Sequence, residues 1–205
     1  MTELIVRQLK VGTMDNFVYI IGDEKTKEAA VIDSGWEIDP IMDAAVKDGL
    51  KIKYAIATHE HFDHTKTLRE LAERSGAKVV VHENSPLNGD VRVGDGETLE
   101  LGGEKLKVLH TPGHTEDGIC ISAGMKLFTG DTLFIGTCGR TDLPGGSARK
   151  LFESLHGVIM KLPAQTLIYP GHDYGDVWFR ALEEESKRNP ALMARNVEEF
   201  LALFG

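Results

Sequence analysis

The chain has 205 residues, with 23 Lys+Arg against 32 Asp+Glu and a formal net charge of −9. A phosphate backbone or an anionic membrane surface needs a positive field, so neither nucleic acid nor membrane is expected as a partner. Hydrophobic residues at 41% and charged residues at 27% suit an ordinary soluble globular protein, read as a single domain over 1–205. In chain order, 4–9, 16–22 and 29–33 are apolar or alternating runs separated by turn residues, as in an antiparallel meander. Asp39-Pro40 looks like an N-cap followed by Pro, opening a helix to about Asp48 that Gly49 closes. A strand over 53–58, a helix over 65–75 ended by Gly76 and a strand over 78–82 follow. The segments 97–101, 105–110, 118–122 and 126–129 read as strands. A Gly-rich loop runs from Phe134 to Ser147, which caps a helix to Lys161. A strand over 166–169 precedes helices over 176–188 and 190–204, broken at Asn189-Pro190.

The remaining limits concern compartment. Cys120 and Cys138 are too few for a disulfide scaffold and fit a reducing cytoplasm. The start, Met1-Thr2-Glu3-Leu4, shows no basic flank with an apolar stretch, so no leader is expected. No apolar run approaches the length of a membrane span.

Chemistry concentrates in four segments. His59-Glu60-His61-Phe62-Asp63-His64 follows a strand. His114, Asp131 and His172 each follow a Gly, in Thr111-Pro112-Gly113-His114, Phe128-Thr129-Gly130-Asp131 and Tyr169-Pro170-Gly171-His172. Strand ends at one sheet edge converge in space, so distant segments can build one site. His at i and i+2 cannot share a helix face, so His59 and His61 sit on a loop. Such a loop can aim His59 and His61 one way and Asp63 and His64 the other, offering ligands to two metals. Imidazole and carboxylate suit Zn, Fe or Mn, and the absence of clustered thiolates argues against a structural Cys-type zinc site. Asp131 is the candidate bridge. His82, His110 and His156 are expected to be packed or hydrogen-bonded.

These residues resemble the metallo-β-lactamase fold superfamily, over essentially the whole chain. The resemblance implies an α/β fold: an αββα sandwich of two mixed β-sheets with helices on the outer faces. It implies a first metal held by His59, His61 and His114, a second by Asp63, His64 and His172, and Asp131 bridging. Asp63 and Asp131 are the catalytic carboxylates on this reading. Thr129-Gly130-Asp131-Thr132-Leu133-Phe134 looks like glyoxalase II (hydroxyacylglutathione hydrolase). Cys138-Gly139-Arg140-Thr141-Asp142 and His172-Asp173-Tyr174 look more like persulfide dioxygenase.

The expected function is a hydrolase using a dinuclear metal-bound hydroxide on a thioester or related acyl substrate, with two divalent ions, zinc first and iron or manganese as alternatives. The alternative is a mononuclear iron persulfide dioxygenase in which His59 or His61, with His114 and Asp131, leaves positions open for persulfide and O₂. Either acts on a small thiol-derived substrate. Arg140, whose planar fork suits a carboxylate, and Tyr174 are the candidate substrate-binding residues; pairing of Arg140 with Asp142 is the competing reading. The C-terminal helices are expected against the core or a second subunit, which leaves a homodimer open.

Overall fold

The computed structural model describes residues 4–205; the start at Met1-Thr2-Glu3 lies outside them. Strands β1 (Leu4–Val11), β2 (Asn16–Asp23), β3 (Glu28–Ile32), β4 (Lys51–Ile56), β5 (Lys78–His82) and β6 (Val91–Val93) form one sheet in sequential order. The first three pair antiparallel, as the meander pattern predicts, and β3 to β6 pair parallel. The second sheet holds β7 (Thr98–Leu101), β8 (Glu104–His110), β9 (Ile119–Ala123), β10 (Lys126–Gly130), β11 (Leu167–Pro170) and β12 (Arg180–Ala181), again in sequential order. There β10–β11 is parallel and the other pairs are antiparallel.

The period of two along β2 shows why the layers stack as they do. Phe17, Tyr19 and Ile21 face the second sheet and pack with Leu106, Val108, Ile121 and Phe128. Val18 and Ile20 face the other way, toward α1 (Asp39–Lys47) and α3 (Leu68–Ser75), with Ile41, Ala45 and Leu71. On the far side Leu127 and Ile168 pack under α4 (Ala148–Gly157) and the C-terminal helices. The result is the expected αββα sandwich, and no helix among the described residues is long and apolar enough to cross a membrane.

Several elements differ from the sequence pattern. Ile38, not Asp39, is the N-cap of α1; the Asp39 carboxylate instead accepts from Arg74 at 2.7 Å. The 65–75 helix divides into α2 (Phe62–Thr65) and α3, because Thr67 leaves helical geometry and donates its hydroxyl to the Ser34 carbonyl at 3.0 Å. The helix after Ser147 stops at Gly157, and 159–161 forms a separate 3₁₀ turn. The predicted helix over 176–188 is reduced to α5 (Leu182–Glu185). Phe179 stacks on Tyr169 with ring centroids 5.0 Å apart, and Arg180–Ala181 pair with β11, so sheet pairing takes this backbone. The helix over 190–204 is two, α6 (Pro190–Met193) and α7 (Val197–Phe204), the second capped by Asn196.

Candidate metal centre

The ends of β4, β10 and β11 and the β8–β9 loop meet at one edge of the sandwich. Ties between the sheets hold that edge: Phe17 N–H donates to the Gly171 carbonyl and Ile119 N–H to the Thr58 carbonyl, both at 2.8 Å. Gly130 makes the turn into Asp131 at φ +47°, and a Cβ there would lie 2.3 Å from Thr58 Oγ1. Only glycine tolerates that turn and that approach together.

The structure brings all the predicted ligand side chains together. His59, His61 and His114 form one group of mutually close donor atoms; Asp63, His64 and His172 form another; His59, His64 and Asp131 join them. His114 Nε2 lies 2.9 Å from His61 Nδ1, and His64 Nε2 lies 3.1 Å from His172 Nε2. Asp131 reaches both groups, with Oδ2 3.6 Å from His114 Nε2 and 3.3 Å from His172 Nε2.

The outward nitrogens fix the inward ones. Nδ1 of His114 donates to the Arg140 carbonyl at 2.7 Å, and Nδ1 of His172 to the Met14 carbonyl at 2.8 Å. A carbonyl only accepts, so each Nδ1 carries the proton and each Nε2 is left with its lone pair toward the centre. His64 Nδ1 is held by Asp33 Oδ2 at 3.0 Å. Thr58 spends its hydroxyl proton on Asp33 at 2.7 Å, leaving Oγ1 to accept from His59 Nδ1 at 3.1 Å.

Two polar atoms of this cluster, His59 Nε2 and Asp131 Oδ1, are buried with no hydrogen-bond partner. A buried orphan of this kind costs about 1–3 kcal/mol, and a cation between them would satisfy both. The electrostatics agree. Burial opposes ionisation of Asp131, yet the surrounding imidazoles, His64 first, hold its carboxyl well below the usual range. Burial would lower His64 too, but the carboxylates of Asp131, Asp33 and Asp63 outweigh it and hold the imidazole protonated well above its ordinary range. Burial and the neighbouring imidazoles push His59 down. Carboxylates that stay ionised and imidazoles drawn to a positive charge by them are a donor set for a divalent cation.

The sequence profile of the metallo-beta-lactamase superfamily matches residues 11–172. The chain belongs to this superfamily. A curated relative, the mitochondrial persulfide dioxygenase ETHE1 of Mus musculus, is 35% identical over 210 positions covering 97% of this chain and 79% of its own. The hydroxyacylglutathione hydrolase of Gloeobacter violaceus is 37% identical over 192 positions covering 90% of this chain and 75% of its own. The crystal structure of ETHE1 from Myxococcus xanthus superposes with a TM-score of 0.93 at 37% identity, covering 98% of this chain and 89% of that one.

Beside the predicted ligands stand two partners that sequence reading missed. Asp33 orients His64 and is itself pinned by the Thr58 amide at 2.8 Å. Asn16 donates to Asp63 Oδ2 at 2.9 Å and accepts from Trp36 Nε1 at 2.7 Å. Among the remaining histidines, His82 and His110 stack on each other at 4.1 Å and His156 donates to the Ala191 carbonyl, as expected of non-ligands.

The centre opens into a cavity of about 320 Å³ lined by Met14, Phe62, Arg140, Leu143 and Tyr174. Tyr174 stacks on His172 at 4.7 Å, and burial followed by the Asp131 and Asp63 charges raises its pKa. Arg140 is closed in a two-bond fork on Asp142, at 2.7 and 2.8 Å. Cys138 is buried and its thiol is pushed up to about 12 by that burial, so it lacks the thiolate that redox chemistry needs.

Proposed function

We propose that this superfamily member is an iron-dependent dioxygenase of low-molecular-weight persulfides. The observation that carries the reading is where the orphaned atoms lie. His59 Nε2 and Asp131 Oδ1, with His114 Nε2 beside Asp131, make a two-imidazole, one-carboxylate set, the pattern of non-haem Fe(II) oxygenases. In the other group, Asp63 and His64 are each held by a further polar side chain, Asn16 and Asp33. The near full-length likeness to the ETHE1 proteins supports the same reading.

Iron held by His59, His114 and Asp131 would supply open positions for a persulfide sulfur and for O₂. This chain's residues do the rest. Arg140 and Met14 carbonyls keep His114 and His172 in the tautomer that presents Nε2. Phe134 and Tyr174 pack against the His172 ring, which is 2% exposed. Two buried cysteines without a disulfide suit the reducing, cytoplasmic setting in which such thiol-derived substrates persist.

The second reading, a dinuclear thioester hydrolase with zinc, is favoured by the completeness of the Asp63–His64–His172 group. Protein purified without added metal decides between them. About one iron per chain and O₂ uptake dependent on glutathione persulfide are expected. Two zinc ions per chain with hydrolysis of a glutathione thioester and no O₂ uptake would reverse the assignment. Within the dioxygenase reading, His114→Ala should lose iron, whereas His172→Ala should keep it with reduced uptake; equal loss of metal in both variants points to the dinuclear site.

Arg140 is proposed to receive a substrate carboxylate, which would exchange with Asp142 for the exposed guanidinium. Arg140→Ala should then raise KM several-fold for an anionic persulfide and little for a neutral one, at an unchanged melting temperature. Equal losses on both substrates with a lower Tm would leave Arg140 only its bond to Asp142.

A further inference from the structure

The loop from Asp131 to Arg140 is the wall of the centre on one side. It begins at one ligand, and its Arg140 carbonyl orients His114 at its end. Midway, the edge of Phe134 meets the His172 ring at 5.7 Å and Tyr174 at 5.1 Å. Three backbone polar groups of this loop point away from the metal site, into the protein. The Gly136 amide donates to Glu185 Oε1. The Phe134 and Thr137 carbonyls both accept from Asn189 Nδ2, at 3.1 and 2.9 Å. Asn189 also donates to Glu185 Oε1 at 2.9 Å, and Arg180 neutralises Glu185 through Oε2 at 3.0 Å. Glu185 and Asn189 are both 0% exposed and Arg180 is 8% exposed. A buried carboxylate needs partners of this kind, and a buried polar network with all its members satisfied imposes one geometry.

We propose that Glu185 and Asn189 are positioning residues: a clamp from the C-terminal segment that sets the 131–140 loop and, through it, the orientation of His114 and His172. The clamp rests on the metal-site reading and is independent of the choice between dioxygenase and hydrolase. Neither residue touches the metal site, so each acts through the loop.

Asn189 also caps α6 by accepting from the Ala191 amide at 2.9 Å. Serine keeps an N-cap acceptor but has no group that can donate to both loop carbonyls. Asn189→Ser therefore removes both bonds to the loop carbonyls and spares the cap. Cobalt(II) is the probe, its visible d–d absorption reporting ligand geometry without turnover. Asn189→Ser should weaken cobalt binding by about 10-fold or more, as loss of a partner that orients ligands does, and change the band shape. Glu185→Gln keeps the Oε1 acceptor, so its cobalt spectrum should stay wild-type while Tm falls. Ile41→Ala, in the opposite helical layer, supplies a matched loss of stability with an unchanged spectrum. An Asn189→Ser protein with wild-type cobalt affinity and spectrum, destabilised no differently from Ile41→Ala, overturns the clamp. If Asn189→Ser does not fold, Glu185→Ala is read the same way, since Arg180 keeps Asp176. A wild-type chain that takes up no cobalt overturns the metal reading and the clamp with it.

Discussion

Asp131→Ala is expected to empty the metal site and abolish turnover while the sandwich stays folded. The carboxylate reaches both halves of the cluster: Oδ2 approaches His114 and His172, and Oδ1 lies 3.3 Å from His64 Nε2. Its charge also raises the pKa of the buried His64 imidazole against the cost of burial, which shows how strongly the carboxylate draws positive charge to this place. Removing it leaves imidazoles with less reason to bind a cation and takes away the carboxylate of the two-imidazole set. Metal affinity should fall by more than the roughly 10–100-fold that losing an outer partner costs. The fold should survive, because the bonds between Phe17 and Gly171 and between Ile119 and Thr58 are made by backbone. Elemental analysis, a turnover assay and circular dichroism on one preparation test this. Native-like dichroism with undiminished metal and activity would remove Asp131 from the centre.

The legible part of this site had a repeated form: an apolar strand, a turn, then a ligand. His114, Asp131 and His172 each follow a glycine, and the six-residue run from His59 carries its spacing on its face. Asp33 has no such mark. An aspartate at a strand end before Ser34-Gly35 reads as an ordinary turn residue, and its φ of +62° is one that aspartate tolerates. Its role depends on β3 lying beside β4, which brings Thr58 and His64 to it, and pairing between strands 25 residues apart is not written locally. The same limit explains β12. Val177-Trp178-Phe179 beside charged residues has the composition of a helix face, but Phe179 is spent on Tyr169 and the Arg180–Ala181 backbone on β11. Val91–Val93 has only three residues, too few for a period-two pattern to stand out. Helix starts were legible where a side chain caps, as at Ser147 and Asn189, and misread at Asp39, whose carboxylate is drawn to Arg74 instead.

Gly35→Ala is expected to disorganise the Asp63–His64 half of the centre, although Gly35 offers no side chain to it. A Cβ on Gly35 would stand 1.6 Å from the Asp63 carbonyl oxygen, 2.2 Å from its carbon and 2.7 Å from the His64 amide nitrogen. All three atoms are backbone, so no rotamer can give way. Either α2 moves, carrying Asp63 and His64 with it, or residues 33–36 move, carrying Asp33 away from His64 and Thr58. Both routes break the His64–Asp33 bond or the Asn16–Asp63 bond that set those side chains. Overpacking of this kind costs typically about 1–3 kcal/mol, so Tm should drop in the metal-free protein and metal should restore less of it than in the wild type. Gly157→Ala provides the contrast. Its added Cβ meets nothing within 4 Å, it closes α4, and alanine there should stabilise by roughly 0.5–1 kcal/mol. Melting curves of the two variants with and without metal should therefore move in opposite directions. If Gly35→Ala melts like the wild type and recovers fully on adding metal, the close packing of the 33–36 turn on the Asp63–His64 peptide does not govern the centre.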